Sequence, residues 1–149
     1  MNKIIINNLN ETELFAQDFA KMLVGGEVVL LGGDLGAGKT TFTKCVLRSL
    51  GVKDDVTSPT FTIMRQYQGK KFKIYHFDMY RLSSGAEASE FGLEDYIYSK
   101  DPQSIVFIEW PENIKDILVG DFLKINISFV EENVREFEIS RGMYEDSRD

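Results

Sequence analysis

Apolar residues enter the chain in two rhythms. Val28 to Leu31 and Ile105 to Ile108 are unbroken apolar runs, as expected of strands buried on both faces of a parallel sheet. Lys3 to Ile6 predicts a further short strand. Phe15, Phe19, Met22 and Leu23 instead recur at helical spacing. Asn10 reads as the N-cap of that helix, with Glu13 in the capping-box position, and Gly25-Gly26 as its stop. A second helix is expected from near Gly38 to Leu50, ended by Gly51. Thr60 to Gln68 and Lys71 to Phe77 predict the strands of a hairpin around Gly69-Lys70. Residues 82–100 read as irregular to helical and acidic. Pro111 fits the first turn of a short helix through Leu118. Asp121 to Val130 and Asn133 to Ser140 predict a closing antiparallel pair. The tail 141-RGMYEDSRD-149 has little apolar content and is expected to fray. The order predicts one α/β domain over residues 1–149, a mostly parallel central sheet with helices on it and antiparallel edge strands.

Bulk properties narrow the picture. A chain of 149 residues, 43% of them hydrophobic, is long enough for one domain with a core and short for two. The net charge of −7 argues against binding nucleic acid by bulk electrostatics, which takes a clustered Lys/Arg surface. It leaves room for work on an RNA held by a more basic partner. The single cysteine, Cys45, has no internal partner and no metal-ligand spacing around it, which fits a reducing compartment. No apolar run approaches the roughly 18 residues that span a bilayer, and the N-terminus lacks a signal-peptide core. The expectation is a soluble cytoplasmic protein without membrane contact.

The chemistry is concentrated after the first buried strand. The stretch 33-GDLGAGKT-40 satisfies G-x-x-x-x-G-K-[ST], a pattern that residue frequencies produce by chance in roughly one chain of this length in a few hundred. A strand before it and a helix after it are the context the motif needs. Glycines let the backbone curl so that successive N–H groups face phosphate oxygens, and the new helix adds its positive end. Gly33, Asp34, Gly36, Ala37, Gly38, Lys39, Thr40 and Thr41 are therefore the candidate ATP/ADP-binding residues. Lys39 would reach the β- and γ-phosphates, the Thr40 hydroxyl would ligate Mg²⁺, and Thr41 would lie toward the α-phosphate.

Such a cradle needs an acid beside it. Glu109, ending the buried run Ile105 to Ile108, is the candidate for the metal or the attacking water. Residues 57-TSPTF-61 place hydroxyls around a proline where a γ-phosphate-sensing loop could lie, with Thr60 the residue singled out. In 76-HFDMYRL-82, alternation puts His76, Asp78 and Tyr80 on one face. Asp78 could join the Mg²⁺ shell through water. His76, the lone histidine, reads as structural, and Trp110 as packing.

The segments GDLGAGKTT, TSPTF, HFDMYRL and EWPE, in this order and spacing, resemble the bacterial TsaE (YjeE-type) ATPases of tRNA threonylcarbamoyladenosine modification. The resemblance covers nearly the whole chain and is weakest in the first few residues and after about residue 118. It implies a three-layer P-loop NTPase fold and an auxiliary ATPase. Such a protein joins the threonylcarbamoyl-transferase TsaD and its paralogue TsaB, so that the complex turns over repeatedly on tRNA adenosine 37. By resemblance, Lys39 is the phosphate-binding lysine, Thr40 the Mg²⁺ ligand and Glu109 the acid at the metal. Asp78 is the aspartate of H-x-D-x-Y-R, Thr60 the threonine of the switch-like segment and Trp110 the tryptophan beside the acid. The tail follows no family pattern, and the base pocket is marked only by residues near Leu9 to Thr12.

Two other readings compete. A small-molecule kinase usually carries an arginine-bearing lid, and 83-SSGAEASEFGLEDYIYSKD-101 has no arginine. A GTP-type switch needs Asn-Lys-x-Asp, and Asn113-Ile114-Lys115-Asp116 has the wrong spacing. Nothing marks an arginine finger, a group worth about 10³–10⁵ in rate, although Arg65 and Arg81 are candidates. Weak hydrolysis by the isolated chain is therefore expected, with partners accelerating or gating it. Lys39→Ala and Glu109→Ala are both expected to abolish function.

Overall fold

The computed structural model describes residues 2–34, 36–56 and 63–144. Seven strands form one sheet: β1 (Asn2–Ile6), β2 (Val28–Gly32), β3 (Met64–Gln68), β4 (Lys73–Asp78), β5 (Ser104–Glu109), β6 (Gly120–Glu131) and β7 (Val134–Tyr144). Their spatial order is β1-β7-β6-β2-β5-β4-β3. The four central strands β6, β2, β5 and β4 pair in parallel. Antiparallel pairing at both margins, by β7 and β1 on one side and β3 on the other, completes the sheet.

The two unbroken apolar runs become β2 and β5, adjacent and parallel. Each splits its side chains between two cores. Val29, Leu31, Ile105 and Phe107 face α1 (Leu9–Met22) and α2 (Lys39–Ser49). There Phe42 is fully buried against Phe15, Phe19 and Phe137, with ring centroids 5.3–5.7 Å apart. Leu30, Val106 and Ile108 face the opposite core, closed by α3 (Gly85–Glu90), α4 (Leu93–Tyr98) and a 3-10 helix, Pro111–Ile117. The result is the expected three layers.

Three details differ from expectation. The N-cap of α1 is Asn8, not Asn10: its side chain accepts from Glu11 N at 2.9 Å, while the Glu11 carboxylate accepts from Asn7 N at 3.1 Å. The motif is the predicted one shifted by two residues. Met22 points outward, 57% exposed, and Ala16 and Ala20 take the core positions beside Phe19. The tail expected to fray is paired at its start, because Arg141 to Tyr144 pair with Gly120 to Leu123 and Tyr144 packs on Phe122; residues 145–149 lie outside the described residues. Backbone pairing holds a segment whose composition alone would not. Asn8→Ala should lower stability by about 1 kcal/mol, read as a shifted urea midpoint with unchanged slope.

Candidate functional site

β2 ends in a turn that only glycine can make. Gly33 has φ +129°, and a Cβ there would lie 2.2 Å from the Ile127 carbonyl oxygen. Further on, Gly36 and Gly38 also have positive φ, yet a Cβ on either would meet none of the described residues within 4 Å. The loop thus packs tightly at its root, while none of the described residues crowds the backbone at its tip. Ala37 N donates to the Asp34 carbonyl at 3.0 Å and closes the turn. Gly38 is the N-cap of α2 and offers no side-chain cap, so the first-turn amides suit an anion. Lys39 and Thr40 sit in that turn, Thr40 half-buried and Thr41 exposed.

Lys39 is 5% exposed. Its Nζ donates to the Gly33 carbonyl at 2.5 Å and lies 3.8 Å from the centre of the Trp110 ring. Trp110 follows Glu109 with φ +58°, a left-handed conformation costing about 1–3 kcal/mol for a non-glycine residue. The same bend sets the ring against Lys39 on one hand and Tyr80, 5.0 Å away, on the other. Burial pushes the Lys39 ammonium below its ordinary value, while Glu109, Glu112, Asp78 and Asp34 pull it back up. Four carboxylates around one ammonium make a poor site for a bare polyanion. They suit an anion that arrives with a divalent cation.

Strand register supplies the acids. Glu109 lies beside Leu31 on one side and Asp78 on the other, so the ends of β2, β5 and β4 form a row. Alternation places Glu109 on the face of Ile105 and Phe107, and His76 and Asp78 on that of Ile74, the face that α2 covers. His76 is fully buried, and its Nε2 lies 2.6 Å from Glu109 Oε2. His76 Nδ1 has no partner among the described residues. A proton on Nδ1 would be a buried N–H without an acceptor, so the tautomer that fits carries it on Nε2 and donates to the carboxylate. One oxygen of Glu109 is thereby held by His76. Asp78 Oδ1 accepts from Tyr80 N at 2.9 Å, which turns the chain out of the sheet and leaves Tyr80 exposed instead of continuing the strand face.

Gly33, Asp34, Gly36, Ala37, Gly38, Lys39, Thr40 and Thr41 thus form one loop and helix start, with Glu109 and Asp78 at the adjoining strand ends. Thr60 and the rest of 57-TSPTF-61 lie outside the described residues. Leu9 to Thr12 form the first turn of α1, where Thr12 Oγ1 bonds the Asn8 carbonyl. Arg65 is on β3, three strands from β2 and so roughly 14 Å away across the sheet. Arg81 is exposed just past β4.

His76 was undervalued by the sequence pattern, since nothing there brings it to a residue 33 positions away. Trp110 does pack, but on the loop lysine. Asn113 and Asp116 have structural partners: Asn113 Nδ2 donates to the Met79 carbonyl at 3.0 Å, and Asp116 Oδ1 accepts from Gly85 N at 2.7 Å. The supposed lid, residues 83–101, is packed down by Ala88, Leu93 and Ile97 on the other face of the sheet. No group of three His, Cys, Asp or Glu side chains among the described residues is arranged to hold a metal.

Comparison with known proteins converges on one family. A family model described as threonylcarbamoyl adenosine biosynthesis protein TsaE matches residues 6–137, a span that includes every site residue above. The tRNA threonylcarbamoyladenosine biosynthesis protein TsaE of Rickettsia felis is 37% identical over 145 residues, covering 97% of this chain and 82% of that protein. The protein of the same name from Bacillus subtilis is 38% identical over 129 residues, covering 87% and 78%. The crystal structure of Bacillus subtilis YdiB superposes with a TM-score of 0.77 at 34% identity, covering 93% of this chain and 83% of that one. No helix among the described residues is long and apolar enough to cross a membrane.

Proposed function

The chain belongs to the TsaE family of threonylcarbamoyl adenosine biosynthesis proteins, and from that premise we propose that it is an ATPase serving threonylcarbamoyl transfer to tRNA. The observation that carries this reading is the row of strand ends that sets Glu109 beside the root of the phosphate loop, with Lys39 buried between loop and Trp110. A glycine turn that merely joined strand to helix would explain neither the buried ammonium nor the carboxylates around it.

In this reading the amides from Gly33 to Thr41 hold the phosphates of ATP or ADP. Lys39 exchanges the Gly33 carbonyl for the β- and γ-phosphate oxygens. Thr40 and Glu109 would hold Mg²⁺, with Asp78 beside Glu109 able to act through water. Bound Mg²⁺ supplies charge neutralisation on the β- and γ-oxygens. Glu109, fixed by His76, orients the attacking water with its second oxygen. Thr60 acts as the switch-like threonine. Hydrolysis by the isolated chain is slow, because no motif marks an arginine finger: Arg65 stands on a distant strand and Arg81 is exposed past β4. The chain works in the cytoplasm in complex with TsaD and TsaB, and it meets tRNA through them.

The test is multiple-turnover formation of threonylcarbamoyladenosine on tRNA, with TsaD, TsaB, threonylcarbamoyl-adenylate and ATP. Sustained turnover is expected with this protein and not with its Lys39→Ala variant. Equal product per enzyme when the protein is omitted would overturn the assignment.

A further inference from the structure

Arg135 belongs to none of the motifs above, yet its side chain crosses from β7 to the phosphate loop. Its Nε donates to the Ala37 carbonyl at 3.1 Å, 98 positions away in sequence. Its Nη1 donates to the carbonyls of Glu131 and Val134, at 3.2 and 3.0 Å, and the guanidinium lies 4.7 Å from the Phe129 ring centre. A long, flexible side chain is thus pinned by three backbone oxygens and an aromatic face.

The Ala37 bond has a geometric consequence. No cis peptide occurs among the described residues, so the carbonyl of Ala37 and the N–H of Gly38 point in opposite directions across one planar unit. Fixing the carbonyl on Arg135 turns the Gly38 N–H away from the guanidinium. Gly38, at φ +106°, is the kind of residue beside which a peptide flips at little steric cost. The Ala37 N–H is already held by Asp34, which leaves the Ala37–Gly38 unit as the next joint. A brace for the β6–β7 turn would need only the bonds to Glu131 and Val134.

We infer that Arg135 is a positioning residue for phosphate binding: it locks the Ala37–Gly38 peptide so that the Gly38 N–H is presented to the ligand. The inference rests on the nucleotide reading above. It predicts a defect in binding, not in the chemical step, because Arg135 acts on the cradle and not on Glu109.

The experiment uses the full chain, with ADP and pyrophosphate as probes, in Arg135→Met and Arg135→Lys variants. Arg135→Met should weaken both probes about tenfold, the effect of losing one well-directed charge-assisted hydrogen bond. The Michaelis constant for ATP should rise by a similar factor while kcat stays within about twofold. ADP should shift the Gly38 amide resonance of the unaltered protein, and Arg135→Met should lose most of that shift. Arg135→Lys keeps the charge without the fork and should recover only part of the loss. A lower unfolding midpoint with unchanged ADP affinity would reduce Arg135 to a turn brace. Full recovery by lysine would assign the effect to charge, and either result overturns the inference. If the unaltered chain binds neither probe, the nucleotide reading itself fails.

Discussion

Lys39→Met is expected to weaken ATP and ADP binding by about 10²-fold or more, since charge-assisted bonds to phosphate are among the strongest polar contacts, and at the same time to stabilise the nucleotide-free protein. The second effect follows from burial. The ammonium sits below its ordinary value of 10.5, desolvation outweighing the four nearby carboxylates. Between that lowered value and 10.5 the unfolded chain binds more protons than the folded one, so this group's share of stability rises with pH across the window. Below the window lysine is charged in both states, and the fold bears the full desolvation penalty. Methionine keeps most of the stem against Trp110 and removes the charge. Its advantage in urea should be largest at neutral pH and shrink as pH approaches 10.5. Equal stability of the two proteins at pH 7, or an advantage that grows with pH, would contradict the burial argument. Retained ADP affinity would contradict the cradle.

The opposite signs matter for function. A loop lysine that rests on the Gly33 carbonyl and an aromatic face is held in a desolvated position before ligand arrives, and under the proposed function phosphate would be a better partner than either. The cost appears as lost stability of the free protein, the usual trade at a site arranged for binding.

Most of the fold was legible because it is written locally. Unbroken apolar runs could only be central strands, and the glycine-rich turn between β2 and α2 fixed the helix start. Composition misled where pairing decides, as at Arg141 to Tyr144, and a shift of two residues at Asn8 shows how loosely capping residues mark a boundary. Within the site, the legible residues were those in contiguous motifs: the loop, Asp78 and Glu109. His76 and Arg135 act on residues 33 and 98 positions away. Their partners are chosen by strand order, β4 beside β5 and the β6–β7 pair beside β2, and nothing in local spacing announces that order. An acid closing a buried strand two register positions from a buried histidine on the neighbouring strand is a signal only once those strands are known to be neighbours.

Glu109→Gln should leave ADP affinity within a few-fold of the unaltered protein and reduce the rate of ATP hydrolysis by about 10²–10⁴-fold, the range for a positioned acid or base. Glutamine keeps the volume of this 3% exposed side chain, and its amide oxygen can still accept from His76 Nε2. The end that would face metal and water then presents N–H groups, which repel a cation and cannot receive a proton. Alanine is the less informative change. It strands the buried His76 N–H without an acceptor at about 1–3 kcal/mol, so lost activity would mix with lost stability. The decisive comparison is single-turnover hydrolysis against ADP affinity for Glu109→Gln, with the unfolding midpoint as control. A rate near that of the unaltered protein would remove Glu109 from the chemistry. A rate lost in proportion to ADP affinity would move it into the binding machinery with Lys39. Only a rate that falls while affinity and midpoint hold matches a carboxylate steadied on one oxygen by His76 and working with the other.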